Sequence, residues 1–286
     1  MSLVQIVILA MIQGAAELLP VSSSAHVIVA AKLLGLDPTT PEMTLLLVML
    51  HTGTMFAVIA YFWNSWKINY FSSGTGLWQF AKLVVVATAF TGLVGLTLKY
   101  VIEKVVFRNV PHAEVELLFG NLPLIALALA AVGLFIIYAG LRKPRPSQRS
   151  SLGLKESAWI GAVQGVCLPF RGFSRSGATI STGLVMGVAK DRLEEFSFAL
   201  AVVLTPPVIL REVLRLLKAH AVASSQWAGS VALFYPSLLG MVLSGVSGFL
   251  ALKWLSRWLE QGRWPLFGCY CLFFAAAVLL LDRIVF

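Results

Sequence analysis

Two polar stretches, Pro20-Val-Ser-Ser-Ser-Ala-His26 and Arg171-Gly-Phe-Ser-Arg-Ser-Gly177, interrupt apolar sequence at corresponding places in the two halves of the chain. Each is flanked by short apolar runs: 3–18 and 25–36 around the first, 157–169 and 177–189 around the second. Crossing a bilayer takes roughly 20 apolar residues, while runs of about 10–14 suit re-entrant segments. Irregular backbone at membrane depth survives only where protein or a water-filled cavity satisfies its polar groups. The lengths therefore predict two broken helical hairpins, each dipping into the membrane and returning.

Outward from the breaks, six stretches read as full spans: about 43–63, 77–98, 117–140, 195–217, 231–253 and 265–284. Pro206 and Pro207 are expected to kink the fourth. The fold class is thus an all-α polytopic membrane protein with four half-span helices. Composition agrees: of 286 residues, 58% are apolar and 12% charged, against about 25% charged in an average soluble domain. A soluble enzyme and a disordered tail are both excluded. The net charge of +9 reads as basic loops on a cytoplasmic membrane face rather than nucleic-acid binding. The three cysteines form neither a disulfide framework nor a metal-ligand spacing. The absence of Lys or Arg before Lys32 argues against a cleaved signal peptide, so the N-terminus is expected to belong to the fold.

The halves also resemble each other. An offset of 151 places Gln13-Gly14 on Gln164-Gly165, Ser23 on Ser174 and Pro20 on Arg171. Each half, about 1–141 and 157–286, runs as a re-entrant pair followed by three spans, within one integral membrane domain. Three is odd, so the second copy enters the membrane inverted, as in many transporters with midplane binding sites. Lys and Arg divide twelve against eight between the two faces. The connector 142–156, with five basic residues and one acid, is assigned to the cytoplasm by the positive-inside rule. The first hairpin then opens outward and the second inward, with their tips meeting inside the bilayer.

Ionisable groups at membrane depth cost roughly 2.5–3.5 kcal/mol each on insertion scales and are functional hypotheses by default. Of 35 Lys, Arg, Asp and Glu residues, 32 can be placed in loops or at span ends; Glu17, Arg171 and Arg175 cannot. With His26 they lie among Ser22, Ser23, Ser24, Ser174, Ser176 and Thr179. Two guanidiniums, hydroxyl donors and two helix N-termini suit a phosphate. A carboxylate and an imidazole beside them supply acid–base capacity, the set that phosphoryl transfer needs. Structural alternatives stand beside each role. Arg175 could be tied to carbonyls, Glu17 could be only its ion-pair partner, and His26 could bridge the hairpin. Ser23 could be a helix N-cap or a covalent nucleophile, with direct attack by water as the other route. His51 reads as a hydrogen-bonded interior residue rather than a catalyst. Tyr61, Trp63, Trp66, Trp254, Trp258 and Trp264 read as interfacial anchors. Gly92, Gly95, Gly240, Gly245 and Gly248 read as close helix packing, within one chain or in a homodimer.

Gln13-x-x-x-Glu17 followed by Leu19-Pro20-Val21-Ser22-Ser23-x-x-His26 resembles the (E/Q)xxxE and PVSSxxH region of undecaprenyl-diphosphate phosphatases, the bacitracin-resistance proteins. Gly172-Phe173-Ser174-Arg175-Ser176-Gly177-Ala178-Thr179 is similar to the family's PGxSRSxxT motif. Two departures stand out. The first acidic position is Gln13, and the proline expected before Gly172 is Arg171, the nearest proline being Pro169. The resemblance implies a multi-pass enzyme of the bacterial cytoplasmic (inner) membrane that serves peptidoglycan synthesis. It would hydrolyse a C55 isoprenoid diphosphate to the monophosphate plus phosphate at a site open to the outer side. Glu17, His26, Ser23 and Arg175 would be catalytic; Ser174, Ser176, Thr179, Arg171, Gln13 and Ser22 would bind phosphate. A divalent cation, Mg or Ca, would be held by Glu17 with the substrate phosphates; no organic cofactor is implied. The alternative from another class is a flippase or transporter of a phosphorylated lipid or organic anion, in which the same cations bind without hydrolysis.

Overall fold

The structure is a computed structural model describing residues 1–17, 19–108, 114–142, 152–223, 230–259 and 263–285. Most of the basic connector, residues 143–151, lies outside the described residues.

The described residues form ten α-helices: α1 Leu3–Ala16, α2 Ser23–Leu33, α3 Pro41–Asn69, α4 Gly74–Val101, α5 Leu122–Leu141, α6 Leu154–Cys167, α7 Arg175–Val185, α8 Lys190–Ala223, α9 Ser230–Leu259 and α10 Trp264–Ile284. Short π-helical and 3-10 turns at Ile102–Val106 and Val115–Gly120 complete the link between α4 and α5. Among the described residues six helices are long and apolar enough to cross a membrane, and they correspond one to one with the expected spans. The four short runs become α1 and α6, of 14 residues each, and α2 and α7, of 11 each. At 1.5 Å per residue these reach about 21 and 17 Å, short of the roughly 30 Å hydrocarbon core.

Local chemistry explains where the helices begin. Thr40, Ser73, Asn121 and Ser174 each cap a helix by accepting a backbone N–H in its first turn, and proline stands near the start of α3, α5 and α10. Both features satisfy or remove donors that the first turn cannot pair. The helix α8 continues through Pro206 and Pro207, so two backbone donors are missing from its middle.

Small residues set the packing. α5 lies against α10, α3 against α9, α1 against α9 and α4 against α6. A Cβ on Gly14 of α1 would stand 2.5 Å from Ser247 Cβ of α9, and one on Gly165 of α6 would stand 2.8 Å from the Thr91 carbonyl of α4. Gly95, Gly240, Gly245 and Gly248 are likewise packed against neighbouring helices, whereas Gly92 faces open space. Two expected interfacial aromatics are in fact interior. Trp66 and Trp264 are 5% and 4% exposed, and Trp264 Nε1 donates to Ser181 Oγ at 3.1 Å. Tyr61 and Trp63 remain exposed, and the side chains of Trp254 and Trp258 lie outside those described.

Candidate functional site

The two breaks meet. α1 ends at Ala16, with Glu17 as its C-cap, and α2 starts at Ser23; α6 ends at Cys167 and α7 starts at Arg175. Across the junction, Arg175 Nη2 donates to Glu17 Oε1 at 3.0 Å, and the second prong, Nη1, donates to the Ser197 carbonyl at 3.1 Å. The guanidinium is therefore held in one plane by two acceptors. Ser197 also meets Thr179 through its hydroxyl at 2.7 Å, and Thr179 donates to the Arg175 carbonyl at 2.8 Å.

Glu17, 5% exposed, gathers most of the polar contacts. Its Oε2 accepts from Ser23 Oγ at 2.5 Å and from Gln13 Nε2 at 2.7 Å. His51 Nε2 stands 3.5 Å from the same oxygen, while its Nδ1 is held by the Leu47 carbonyl at 2.8 Å. Glu17 thus accepts from a hydroxyl, an amide and a guanidinium at once. Its contact with Ser23 is the geometry of a base and the nucleophile it activates.

The loops that present these groups have unusual backbones. Ser22 adopts φ 65°, the only positive φ outside glycine among the described residues. L-residues enter this left-handed region at roughly 1–2 kcal/mol, and such strain is typical of functional turns. The Ser22 carbonyl accepts from His26 Nδ1 at 2.9 Å and from the backbone N–H of Ala25 at 3.1 Å, which holds the turn. In the second break Gly172 has φ 98°, and a Cβ there would lie 2.5 Å from the Ile125 carbonyl of α5. Gly172→Ala is therefore expected to destabilise the protein by about 2 kcal/mol or more and to shift Arg175, lowering both the thermal midpoint in detergent and activity. An unchanged midpoint would remove the steric account.

A cavity of about 530 Å³ opens from this centre. Glu17, Ser23, Arg175 and His51 line it together with Ser22, Ser174, Ser176 and Arg171. An apolar wall follows, including Met55, Leu96, Leu204 and Val208, and Lys99, Glu116, Arg211 and Glu212 also face the cavity.

The expected site residues separate into groups. Glu17, Ser23, Arg175 and Gln13 are in direct contact. Ser174 faces the cavity, but its hydroxyl accepts the Gly177 N–H at 3.2 Å and caps α7. Thr179, fully buried, braces Arg175 and Ser197 from behind and is not among the cavity-lining residues. His26 is not brought to Glu17: its Nε2 lies 2.7 Å from the Tyr270 hydroxyl and its ring stacks on Phe274 with centroids 3.9 Å apart. The imidazole beside the carboxylate is His51. Its bond to the Leu47 carbonyl agrees with an interior role, but an isolated histidine in an apolar span carried no local sign of its partner 34 positions earlier. The count of buried charges also grows. Glu116, in the 3-10 turn, and Glu212, well inside α8, are 1% and 4% exposed, and both line the cavity.

The site's residues fall within a family that sequence comparison identifies. Residues 6–277 match the family described as bacitracin resistance protein BacA. The chain belongs to this family. Over 282 residues the BacA-family chain is 57% identical to undecaprenyl-diphosphatase 2 of Acinetobacter baylyi, with 98% of each chain covered. It is 33% identical over 291 residues to undecaprenyl-diphosphatase 2 of Burkholderia thailandensis, covering 95% and 94% of the two chains. Undecaprenyl-diphosphatase of Parabacteroides distasonis is 30% identical over 280 residues, with 95% of each covered. The BacA match takes in both breaks and every residue of the centre, from Gln13 to Ser197.

Proposed function

We propose that this chain is an undecaprenyl-diphosphate phosphatase that converts the C55 isoprenoid diphosphate to undecaprenyl phosphate and inorganic phosphate, recycling the cell-wall lipid carrier. The observation that carries the proposal is the Ser23–Glu17–Arg175 set inside a membrane-protein cavity, in a chain 57% identical to a protein named undecaprenyl-diphosphatase 2. The distal phosphate sits against the Arg175 guanidinium and the N-termini of α2 and α7, whose backbone N–H groups favour anions. Ser23 Oγ, or a water at the same position, attacks the distal phosphorus. Its proton passes to Glu17 Oε2, the bridging P–O bond breaks, and the lipid monophosphate leaves. If Ser23 attacks, water then hydrolyses the phosphoserine. Charge spread over the transferring group is met by Arg175, the main electrostatic contribution expected in such reactions. Ser22 and Ser176 line the cavity as further phosphate donors. His26 holds the Ser22 carbonyl and thereby the turn that presents Ser23.

The donor set does not fit a resident metal. Glu17 already accepts three hydrogen bonds, and no group of three His, Cys, Asp or Glu side chains converges among the described residues. A divalent cation, Mg or Ca, would come as a counter-ion of the substrate phosphates.

The proposal extends to topology. Two inverted repeats, α1–α5 and α6–α10, fit the equal lengths of the half-span helices and the reciprocal packing of α1 on α9 and of α6 on α4. Gly14 and Gly165, 151 residues apart, are close-approach points of those two contacts. With the basic connector in the cytoplasm of a bacterial inner membrane, the cavity opens on the outer, periplasmic side. The test is phosphate release from farnesyl diphosphate by purified protein in detergent. Turnover is expected; tight binding without turnover would favour a carrier of phosphorylated lipids.

A further inference from the structure

The cavity holds a second set of charges that the centre at Glu17 does not use. Arg171 lies with its guanidinium carbon 4.2 Å from the centroid of the Phe119 ring. The charges acting on it, strongest first, are Glu212 and Glu116, then Arg211, then Glu17. Arg211 Nη2 stands 2.6 Å from Glu116 Oε1 and Nη1 3.5 Å from Glu212 Oε1. Arg215 Nη1 approaches Glu212 Oε2 only to 3.7 Å. All four residues of the Arg171–Arg211–Glu116–Glu212 cluster line the same cavity as Arg175.

The cluster balances in charge but not in hydrogen bonds. Arg171 Nε, both Glu116 oxygens and Glu212 Oε2 are buried without an aligned hydrogen-bond partner. Buried polar atoms are seldom left unmatched, and an exception calls for a reason such as a catalytic role or an absent ligand. A purely structural ion-pair network would be expected to satisfy them. Here two guanidiniums, groups whose planar forks suit phosphate oxygens, share a cavity with two carboxylates, which pair with Arg211 in imperfect alignment and reach Arg171 only as nearby charges.

We propose that this cluster is an outer anion station. Arg171 and Arg211 bind a phosphate dianion in transit to or from the Glu17–Arg175 centre, and when it is absent Glu116 and Glu212 pair with Arg211 and offset the charge of Arg171. The inference rests on the phosphatase reading only for the origin of the phosphate. Because the carboxylates repel the bound anion, the station is weak and releases readily. The two signs of charge act oppositely on its affinity. Removing a carboxylate tightens phosphate binding, and removing a guanidinium loosens it.

The experiment uses the full chain in detergent with inorganic phosphate as the probe. Calorimetry in an Arg175→Lys background minimises the contribution of the inner centre, and the Michaelis constant for farnesyl diphosphate is measured with Arg175 intact. Glu212→Gln and Glu116→Gln are expected to tighten phosphate binding several-fold. Arg211→Gln should weaken it by about tenfold or more, the scale of one charge-assisted hydrogen bond. The charge-balanced Arg211→Gln/Glu212→Gln double variant, which leaves fewer carboxylates unpaired, should also bind less tightly than Glu212→Gln alone. A change in phosphate affinity with an unchanged Michaelis constant identifies the released product as the ligand; a change in both identifies the substrate's terminal phosphate. Arg211-dependent phosphate binding without hydrolysis supports the station while overturning the phosphatase reading. Carboxylate and guanidinium variants that shift phosphate affinity in the same direction, or folded variants that leave it unchanged, overturn the station.

Discussion

Arg175→Lys is expected to slow phosphate release from farnesyl diphosphate by about 10²–10³-fold, the scale of losing one preorganised donor to developing charge. Lysine keeps the positive charge beside Glu17, so the variant should fold and its thermal midpoint should stay close to that of the parent. What it loses is shape. One prong of the guanidinium meets Glu17 and the other the Ser197 carbonyl, leaving its plane fixed for a phosphate. An ammonium is a point charge on a flexible stem and cannot hold both acceptors while facing a third group. A folded variant that hydrolyses at the parent rate would remove Arg175 from the centre.

Glu17→Gln is expected to have a still larger effect, a loss of about 10²–10⁴-fold from the missing proton acceptor combined with a reorganised centre. The change is nearly isosteric but inverts one hydrogen-bonding edge. If the amide oxygen continues to accept from Arg175, its nitrogen must face the Ser23 hydroxyl and the Gln13 amide, both of which now donate to Glu17. The Ser23 hydroxyl and the Gln13 amide must then reverse their hydrogen bonds to accept. Arg175 also loses its counter-charge; because that side chain is 21% exposed at the cavity, the stability cost is held to about 2 kcal/mol, within the range for a hydrogen bond to a charged group. Thermal unfolding separates the two effects: rates measured well below the lowered midpoint should still show the kinetic loss. Parent-like turnover by folded Glu17→Gln would refute its role as base.

Much of the site was legible because its residues are expensive where they stand. Glu17 and Arg175 lie in apolar surroundings, and charge at that depth calls for a partner. Ser23 and Gln13 could be grouped with Glu17 by proximity in the chain. The histidine could not be chosen this way. His26 belongs to the motif and is only nine positions from Glu17, yet three residues along a helix from Ser23 it turns toward Tyr270 and Phe274 of α10. His51 comes from the middle of α3, and nothing in its own apolar run indicates the carboxylate it faces. Glu116, Arg211 and Glu212 were hidden for a related reason: charges near span ends are ordinary in a membrane protein, and only the tertiary structure brings the three to one cavity and buries the two carboxylates.

By itself the sequence determined the membrane environment, the six long helices, the four short ones and the two breaks between the short ones. These follow from the lengths of apolar runs and the placing of polar residues, which are local properties read along one segment at a time. Only the tertiary structure decided the partnerships: Glu17 with Arg175 across 158 positions, His26 with Tyr270 across 244, and Arg211 with Glu116. An ionisable side chain in an apolar run announces that it needs a counter-group, but many polar groups could serve. The choice depends on which helix faces pack together, and that is set by contacts between segments far apart in the chain.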